Sequence, residues 1–369
     1  MTVLRSTRVL GPAGFTAADV VLGDGLIVDL APHGSADGAE DLGDLVLAPG
    51  LVDLQINGAF GHDFTLDAES IWDVAERVPE HGVTAFCPTI ITAPEGTIDA
   101  AVTALGARPE GFVGAEPLGL HLEGPLLNPA RKGAHPEEHL RSSVDADSWA
   151  PPAVRIVTVA PEIAGADLIA DLSRRGVVVS VGHTDTDAAG AAEAFAAGAS
   201  HVTHLFSAMP PMLHREPGPV GAALVDAAVT VSLIVDGIHT APETIAVAYA
   251  AVGPDRFVPI TDAVAALGMP AGTHVLGSQE VTTDGSKVTL PEGTLAGSAL
   301  SMPKSVENLM AFAGVDLGSS LRSHSTVPAG VVGADDRGLV EVGRRADLVV
   351  LDETTVLRTL IAGRTAYER

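Results

Sequence analysis

Eight short apolar runs recur between Leu51 and Thr261, and helix-like stretches follow several of them. The runs are Leu51 to Gln55, Val83 to Cys87, Leu118 to Leu122, Arg155 to Val159, Val177 to Val181, His201 to Leu205, Val229 to Val235 and Phe257 to Thr261. Continuous rather than alternating hydrophobicity is what a strand buried on both faces requires, and parallel sheets covered by crossover helices are the usual case. The intervening stretches include SIWDVAERVPEHG, GADLIADLSRRG and DAAGAAEAFAAG, whose closing Gly suits a helix C-cap. Eight strand–helix repeats predict an α/β fold closed as a TIM-like (β/α)8 barrel. A doubly wound nucleotide-binding sheet would want a GxGxxG turn opening its first helix, and LVDLQINGAFGHDF does not supply it.

The two ends of the chain have another texture. RSTRVL, DVVLGDGLIVDL and DLVLAP near the N-terminus, and GLVEVG, RADLVVLD and VLRTLIAGRTAYE near the C-terminus, read as short strands separated by Gly, Pro and Asp. Residues 1–48 plus 331–369 are therefore expected to form one small β-sandwich domain into which the barrel, residues 49–330, is inserted. Within the barrel, VTTDGSKVTL sets an Asp-Gly pair between alternating residues, which predicts a β-hairpin insertion near 268–295.

Charge limits the partners. With 47 acidic and 21 basic residues the formal net charge is -26, which repels nucleic acid and anionic membrane surfaces. A phosphorylated substrate would need a local basic pocket working against that field. Cys87 is the only cysteine and lies in the apolar run GVTAFCPTI, so it reads as a buried structural thiol and an intrachain disulfide is impossible. The N-terminal MTVLRSTRVLGPAG lacks the apolar core of a signal peptide, and no run of ~18 apolar residues occurs, so a cytoplasmic protein is expected.

In a (β/α) barrel the chemistry sits at the C-terminal ends of the strands. The residues there are unusually polar: His121 and Glu123 at the third run, His183 after the fifth, His204 in the sixth, His239 after the seventh and Asp262 after the eighth. Burying a carboxylate and several imidazoles on one rim costs several kcal/mol unless a metal or partners compensate. Two imidazoles and a carboxylate leave a divalent ion an open coordination position, as in hydrolytic sites. Such an ion brings the pKa of its water down to about 7 and polarises a carbonyl oxygen. A nearby carboxylate can then act as general base, and Asp262 is the natural candidate.

HLEGP at 121–125, GHTD at 182–185, THLF with AM at 203–209, REPG at 215–218, DGIH at 236–239, TDA at 261–263 and LAGSALSM at 295–302 form an ordered set. Together they resemble the N-acetylglucosamine-6-phosphate deacetylases of the amidohydrolase superfamily. The resemblance spans essentially the whole chain, from PGLVD at 49–53 to GRRADLVVLD at 343–352. It implies hydrolysis of the acetamide of N-acetylglucosamine-6-phosphate to glucosamine-6-phosphate and acetate. It implies Glu123, His183 and His204 as ligands of one divalent metal, zinc by default, and Asp262 as catalytic acid/base. It further implies that His135, in KGAH, binds the acetyl carbonyl, that Arg215 and His239 hold the phosphorylated sugar, and that Ser207, Ala208, Leu295 and Gly297 add substrate contacts. Arg suits a phosphate because its planar fork donates two hydrogen bonds. A homodimer, in which the neighbouring chain contributes to the phosphate pocket, is implied as well.

Two departures from the pattern stand out. The superfamily often carries His-x-His after the first strand to hold a second metal, whereas this chain has Gln55, Ile56 and Asn57, so the second position is expected to be empty or weak. Ser207 stands where the family usually has Asn, which leaves the N-acetylgalactosamine-6-phosphate epimer open as substrate. A cyclic-amide hydrolase with a bridging Lys is disfavoured, since none of the eight runs contains Lys. A barrel that has lost catalysis and only binds would lack the ligands that are present here. Outside this set, His121 is expected to pack beneath Glu123, His62 and Lys132 to lie in solvated loops, and His214 to be a loop residue or an extra phosphate donor.

Overall fold

The computed structural model describes residues 1–369 throughout. Every apolar run becomes a parallel strand, in chain order: Leu51–Ile56, Val83–Ile91, Leu120–Glu123, Val154–Val159, Val178–Val181, His201–Val202, Thr230–Ile234 and Phe257–Ile260. Each is hydrogen-bonded to the next. The eighth closes on the first at the C-terminal rim, where Asp262 N–H donates to the Gln55 carbonyl at 2.9 Å and Asn57 N–H to that of Ala263 at 2.7 Å. Farther down this seam Val52 N–H donates instead to the carbonyl of His324 at 2.8 Å. His324 lies between the helices Leu317–Ser323 and Thr326–Val331, which wedge the barrel apart at its base while leaving the rim closed.

The sixth strand is shorter than the sequence suggests. It ends at Val202 because His204 and Phe206 take left-handed backbone, φ 32° and 79°, which no strand continues through. Outside the barrel the helices follow ordinary end rules. The Asp187 carboxylate caps Ala188–Ala197 by accepting from Gly190 N–H at 2.8 Å, and Gly198 at φ 119° terminates it.

Within the barrel, Val52, Leu54, Ala85, Cys87, Ile156, Ile234, Val258 and Ile260 form a dry plug. Cys87 belongs to it, and burial pushes its thiol up, out of nucleophilic range. Nearer the rim lies a polar layer. His121 donates from Nδ1 to the Leu54 carbonyl at 3.0 Å and meets the Thr158 hydroxyl at 2.7 Å, which continues to Thr203 and Ser180 at 2.6 Å each. Burial brings the His121 pKa down to about 4, so it packs as a neutral ring one layer beneath Glu123.

Strands from both termini form one eight-stranded sheet, with Val46–Pro49 paired to Leu348–Asp352 just where the chain enters and leaves the barrel. The sheet curls until Leu26 bridges to Arg345, and it encloses a core of its own built on Leu4, Val20, Ile27, Leu348 and Leu360. The segment expected as one hairpin near 268–295 is a four-stranded antiparallel meander, Gly272–Leu276, Gln279–Thr283, Lys287–Thr289 and Leu295–Ser298. Asp284-Gly285 makes its central turn. Gly277 and Gly293, at φ 52° and 92°, turn the two outer connections, which the single Asp-Gly signal does not reveal. No helix is long and apolar enough to cross a membrane.

Asp53 lies on the closure seam, buried, accepting from the Thr261 hydroxyl at 2.5 Å and from the backbone N–H of Gln55 and Thr261 at 3.2 and 3.3 Å. Burial outweighs these hydrogen bonds and pushes its pKa from 3.8 up to about 7. A carboxyl raised in this way takes up a proton on folding. Its contribution to stability is full below pH 3.8 and is lost as pH rises through about 7. The Asp53→Asn variant, whose amide can donate to a turned Thr261 hydroxyl, should therefore gain in melting temperature relative to the parent between pH 5 and pH 8. Thermal denaturation at both pH values checks this, and a difference independent of pH would contradict it.

Candidate active site

The rim residues meet around one point. Glu123 Oε1 lies 3.2 Å from His183 Nε2 and 3.0 Å from His204 Nε2, and the two imidazole nitrogens are 3.1 Å apart. All three side chains are buried. His183 Nδ1 donates to the Arg131 carbonyl at 2.8 Å, so in the neutral ring Nε2 carries a lone pair, aimed at the carboxylate and at His204. Converging lone pairs repel unless a cation stands among them. Three donors at mutual distances near 3.1 Å match the edge of a tetrahedron with metal–ligand bonds of about 2.0 Å. The donor set thus fits a divalent ion, and the hydrogen bond from Nδ1 to a carbonyl is the outer support usual for ligating histidines. Glu123, His135 and His183 also fall within one metal-sized group.

Titration follows from this crowding. Burial alone would raise Glu123, but its contacts with the polar ring nitrogens of His135, His183 and His204 hold its carboxyl well below the ordinary range. Burial alone would lower His204, but the hydrogen bond and charge of Glu123, with the charge of Asp262, raise it. His135, lowered by burial and the neighbouring His183 to about 4, is neutral near pH 7.

Asp262 stands across the cluster. Burial and the Glu123 charge push it up to about 6. Its Oδ1 accepts from Asn57 Nδ2 at 2.8 Å and from Gln55 Nε2 at 3.1 Å, and the same Gln55 amide donates to Glu123 Oε1 at 3.2 Å. These neutral donors occupy the ground between two carboxylates.

Strain concentrates here. His183, His204, Ala208 and Asp262 all have positive φ, at 48°, 32°, 53° and 49°. Non-glycine residues in that region cost on the order of 1–3 kcal/mol each and persist where the surroundings over-determine them. Gly297 is required at φ 61°, because a Cβ would sit 2.4 Å from Val264 and 2.8 Å from the Asp262 carbonyl.

A cleft of about 430 Å³ opens over the cluster. Glu123, His135, His183, His204 and Asp262 line it, and so do Ser207, Ala208, His239, Leu295 and Gly297. Leu276 and Thr294 add a wall from the meander. The His239 Nδ1 donates to Asp236 Oδ2 at 2.7 Å, and Asp236 Oδ1 accepts two backbone N–H groups, which fixes the ring. Burial works against the Asp236 carboxylate, but the hydrogen bond and charge of His239 lower it.

Arg215 is the exception. It does not line the cleft; Leu213 and Glu216 exchange backbone hydrogen bonds at 3.0 and 3.2 Å, and His214 and Arg215 form the exposed tip of that turn. His62 is half-buried in a two-stranded ribbon and Lys132 half-buried in its loop, both outside the cleft. Sequence reasoning missed Thr92, Arg131 and Asp236, which act through hydrogen bonds to the three histidines His135, His183 and His239. Only Asp236, inside DGIH, stood in a motif.

The amidohydrolase family matches residues 46–366. The chain is 40% identical over 354 residues to the N-acetylglucosamine-6-phosphate deacetylase of Bos taurus, covering 90% of this chain and 86% of that protein. It is 35% identical to the N-acetylgalactosamine-6-phosphate deacetylase of Escherichia coli O157:H7, covering 95% of each. A solved structure of the N-acetyl-D-glucosamine-6-phosphate deacetylase of Mycobacterium smegmatis, an aspartate-to-alanine mutant in complex with N-acetyl-D-glucosamine-6-phosphate, superposes with a TM-score of 0.91 at 32% identity over 99% of both chains. By this measure, and with a cluster built for a divalent ion at the mouth of its barrel, the chain belongs to the amidohydrolase family and, within it, to the N-acetylglucosamine-6-phosphate deacetylases.

Proposed function

We propose that the chain hydrolyses the acetamide of N-acetylglucosamine-6-phosphate to glucosamine-6-phosphate and acetate, with Glu123, His183 and His204 holding one divalent ion and Asp262 as acid/base. The observation that carries this reading is the meeting of Glu123 Oε1, His183 Nε2 and His204 Nε2 within 3.2 Å of one another, with Asp262 beside them. When bound, the ion supplies Lewis acidity and lowers the pKa of a water. Asp262, raised to about 6, accepts the proton of the attacking water and returns it to the amine as the C–N bond breaks. His135 donates from Nε2 to the acetyl oxygen as negative charge develops there. His239, steadied by Asp236, and Ser207 with Ala208 hold the sugar phosphate.

Nitrogen and carboxylate donors in a tetrahedral arrangement favour zinc. One ion rather than two follows from the Gln55 amide, which already compensates Glu123 and Asp262. Arg215, at an exposed turn tip, reaches a phosphate in the cleft of a second copy of the chain, so the working unit is a homodimer. Exposed Met212 and Leu213 in the same turn favour such a contact. The protein belongs in the cytoplasm, where its one cysteine stays reduced.

Acetate release from N-acetylglucosamine-6-phosphate, its galacto epimer and the unphosphorylated sugar, with and without added zinc, tests the substrate. Metal-dependent turnover fastest on the gluco phosphate is expected. Preference for the galacto epimer would move the substrate and point to Ser207, and failure on all three would overturn the reading.

A further inference from the structure

Thr92 follows the second barrel strand and is 3% exposed, packed between two residues of the site. Its backbone N–H donates to His135 Nδ1 at 3.2 Å, and its hydroxyl lies 3.0 Å from the same nitrogen and 3.3 Å from the Glu123 carbonyl. A backbone amide can only donate, so this 3.2 Å contact favours an Nδ1 that accepts. The hydroxyl has one proton for two acceptors, and given to the nearer of them it is a second donor to Nδ1, which together with the amide keeps that nitrogen bare. The proton of the neutral ring is therefore on Nε2, the atom 3.5 Å from Glu123 Oε2. Room for the hydroxyl depends on Gly124, at φ 85°, where a Cβ would lie 2.1 Å from Thr92 Oγ1.

We propose that Thr92 is a positioning residue that holds His135 in its Nε2–H tautomer, so that the ring offers the acetyl oxygen a donor instead of a lone pair. This rests on the reading of His135 as the group that meets that oxygen. The opposite tautomer would set a lone pair against both the acetyl oxygen and the Glu123 carboxylate. Valine at position 92 keeps the amide but deletes the hydroxyl, leaving one donor at 3.2 Å; serine keeps both.

The test is ¹⁵N NMR of histidine-labelled, zinc-loaded enzyme together with steady-state kinetics. His135 of the parent protein should show a bare Nδ1 and a protonated Nε2. Thr92→Val should show a mixture of tautomers and a kcat lower by about 10- to 100-fold with KM little changed, the usual scale for losing an outer hydrogen bond that orients a site histidine. Thr92→Ser should restore both signatures. A proton on Nδ1 in the parent protein, or an unaltered tautomer in Thr92→Val whatever its rate, would overturn the proposal. A His135→Ala variant of undiminished rate would instead overturn the reading beneath it while the tautomer signature stood, so the two failures are told apart.

Discussion

The Asp262→Asn enzyme should fold, bind its divalent ion almost as tightly as the parent, and release acetate about 10² to 10⁴ times more slowly, the usual contribution of a general acid/base. The structure makes this a clean substitution. Asp262 sits at φ 49°, a region that Asn tolerates better than most side chains, so the turn survives. The amide oxygen can still accept from Asn57 Nδ2 and Gln55 Nε2, so the closure seam keeps its hydrogen bonds. What disappears is the ability to take and return a proton. Single-turnover acetate release together with metal titration separates the two properties, and a rate near that of the parent would remove Asp262 from the mechanism.

A second large effect concerns the ion. Chelation should abolish turnover and lower the melting temperature, because buried Glu123, His183 and His204 then face one another without a cation to reconcile them. Restoring the ion at 100 times its dissociation constant should recover activity and add about 2.7 kcal/mol of stability. Glu123→Gln exchanges the only anion of the set for a neutral amide, so its melting temperature should respond little to the ion and its turnover should be lost. Calorimetry of both proteins with and without zinc measures this. Stabilisation of the variant equal to that of the parent would place the ion elsewhere.

The reach of sequence reasoning differs from element to element. The eight barrel strands are visible because each is buried on both faces and so reads as an unbroken apolar run. The meander at 272–298 is only half visible, since its first strand is buried only at Leu276 and two of its turns rest on single glycines. The sixth strand reads too long because composition does not announce that His204 adopts left-handed backbone, at φ 32°. Glu123, His183, His204 and Asp262 are visible as polar residues at apolar strand ends. Arg215, named with them by its motif, lies on an exposed turn of this chain away from the cleft, because a motif records which residues recur together and not the distances between them.

The chain's amino-acid order alone determined the strand–helix alternation, the inserted arrangement of the two ends and the chemical kinds of group collected at the rim. These follow from periodicity and from the cost of burying charge, both of which can be read along one dimension. Tertiary structure alone decided that three donors come within 3.2 Å, that one Gln55 amide serves two carboxylates and that the amide and hydroxyl of Thr92 both meet Nδ1 of His135. Those are distances and directions across the barrel, between residues up to 207 positions apart, set by the stagger of its strands and by strained turns that only the closed structure can hold.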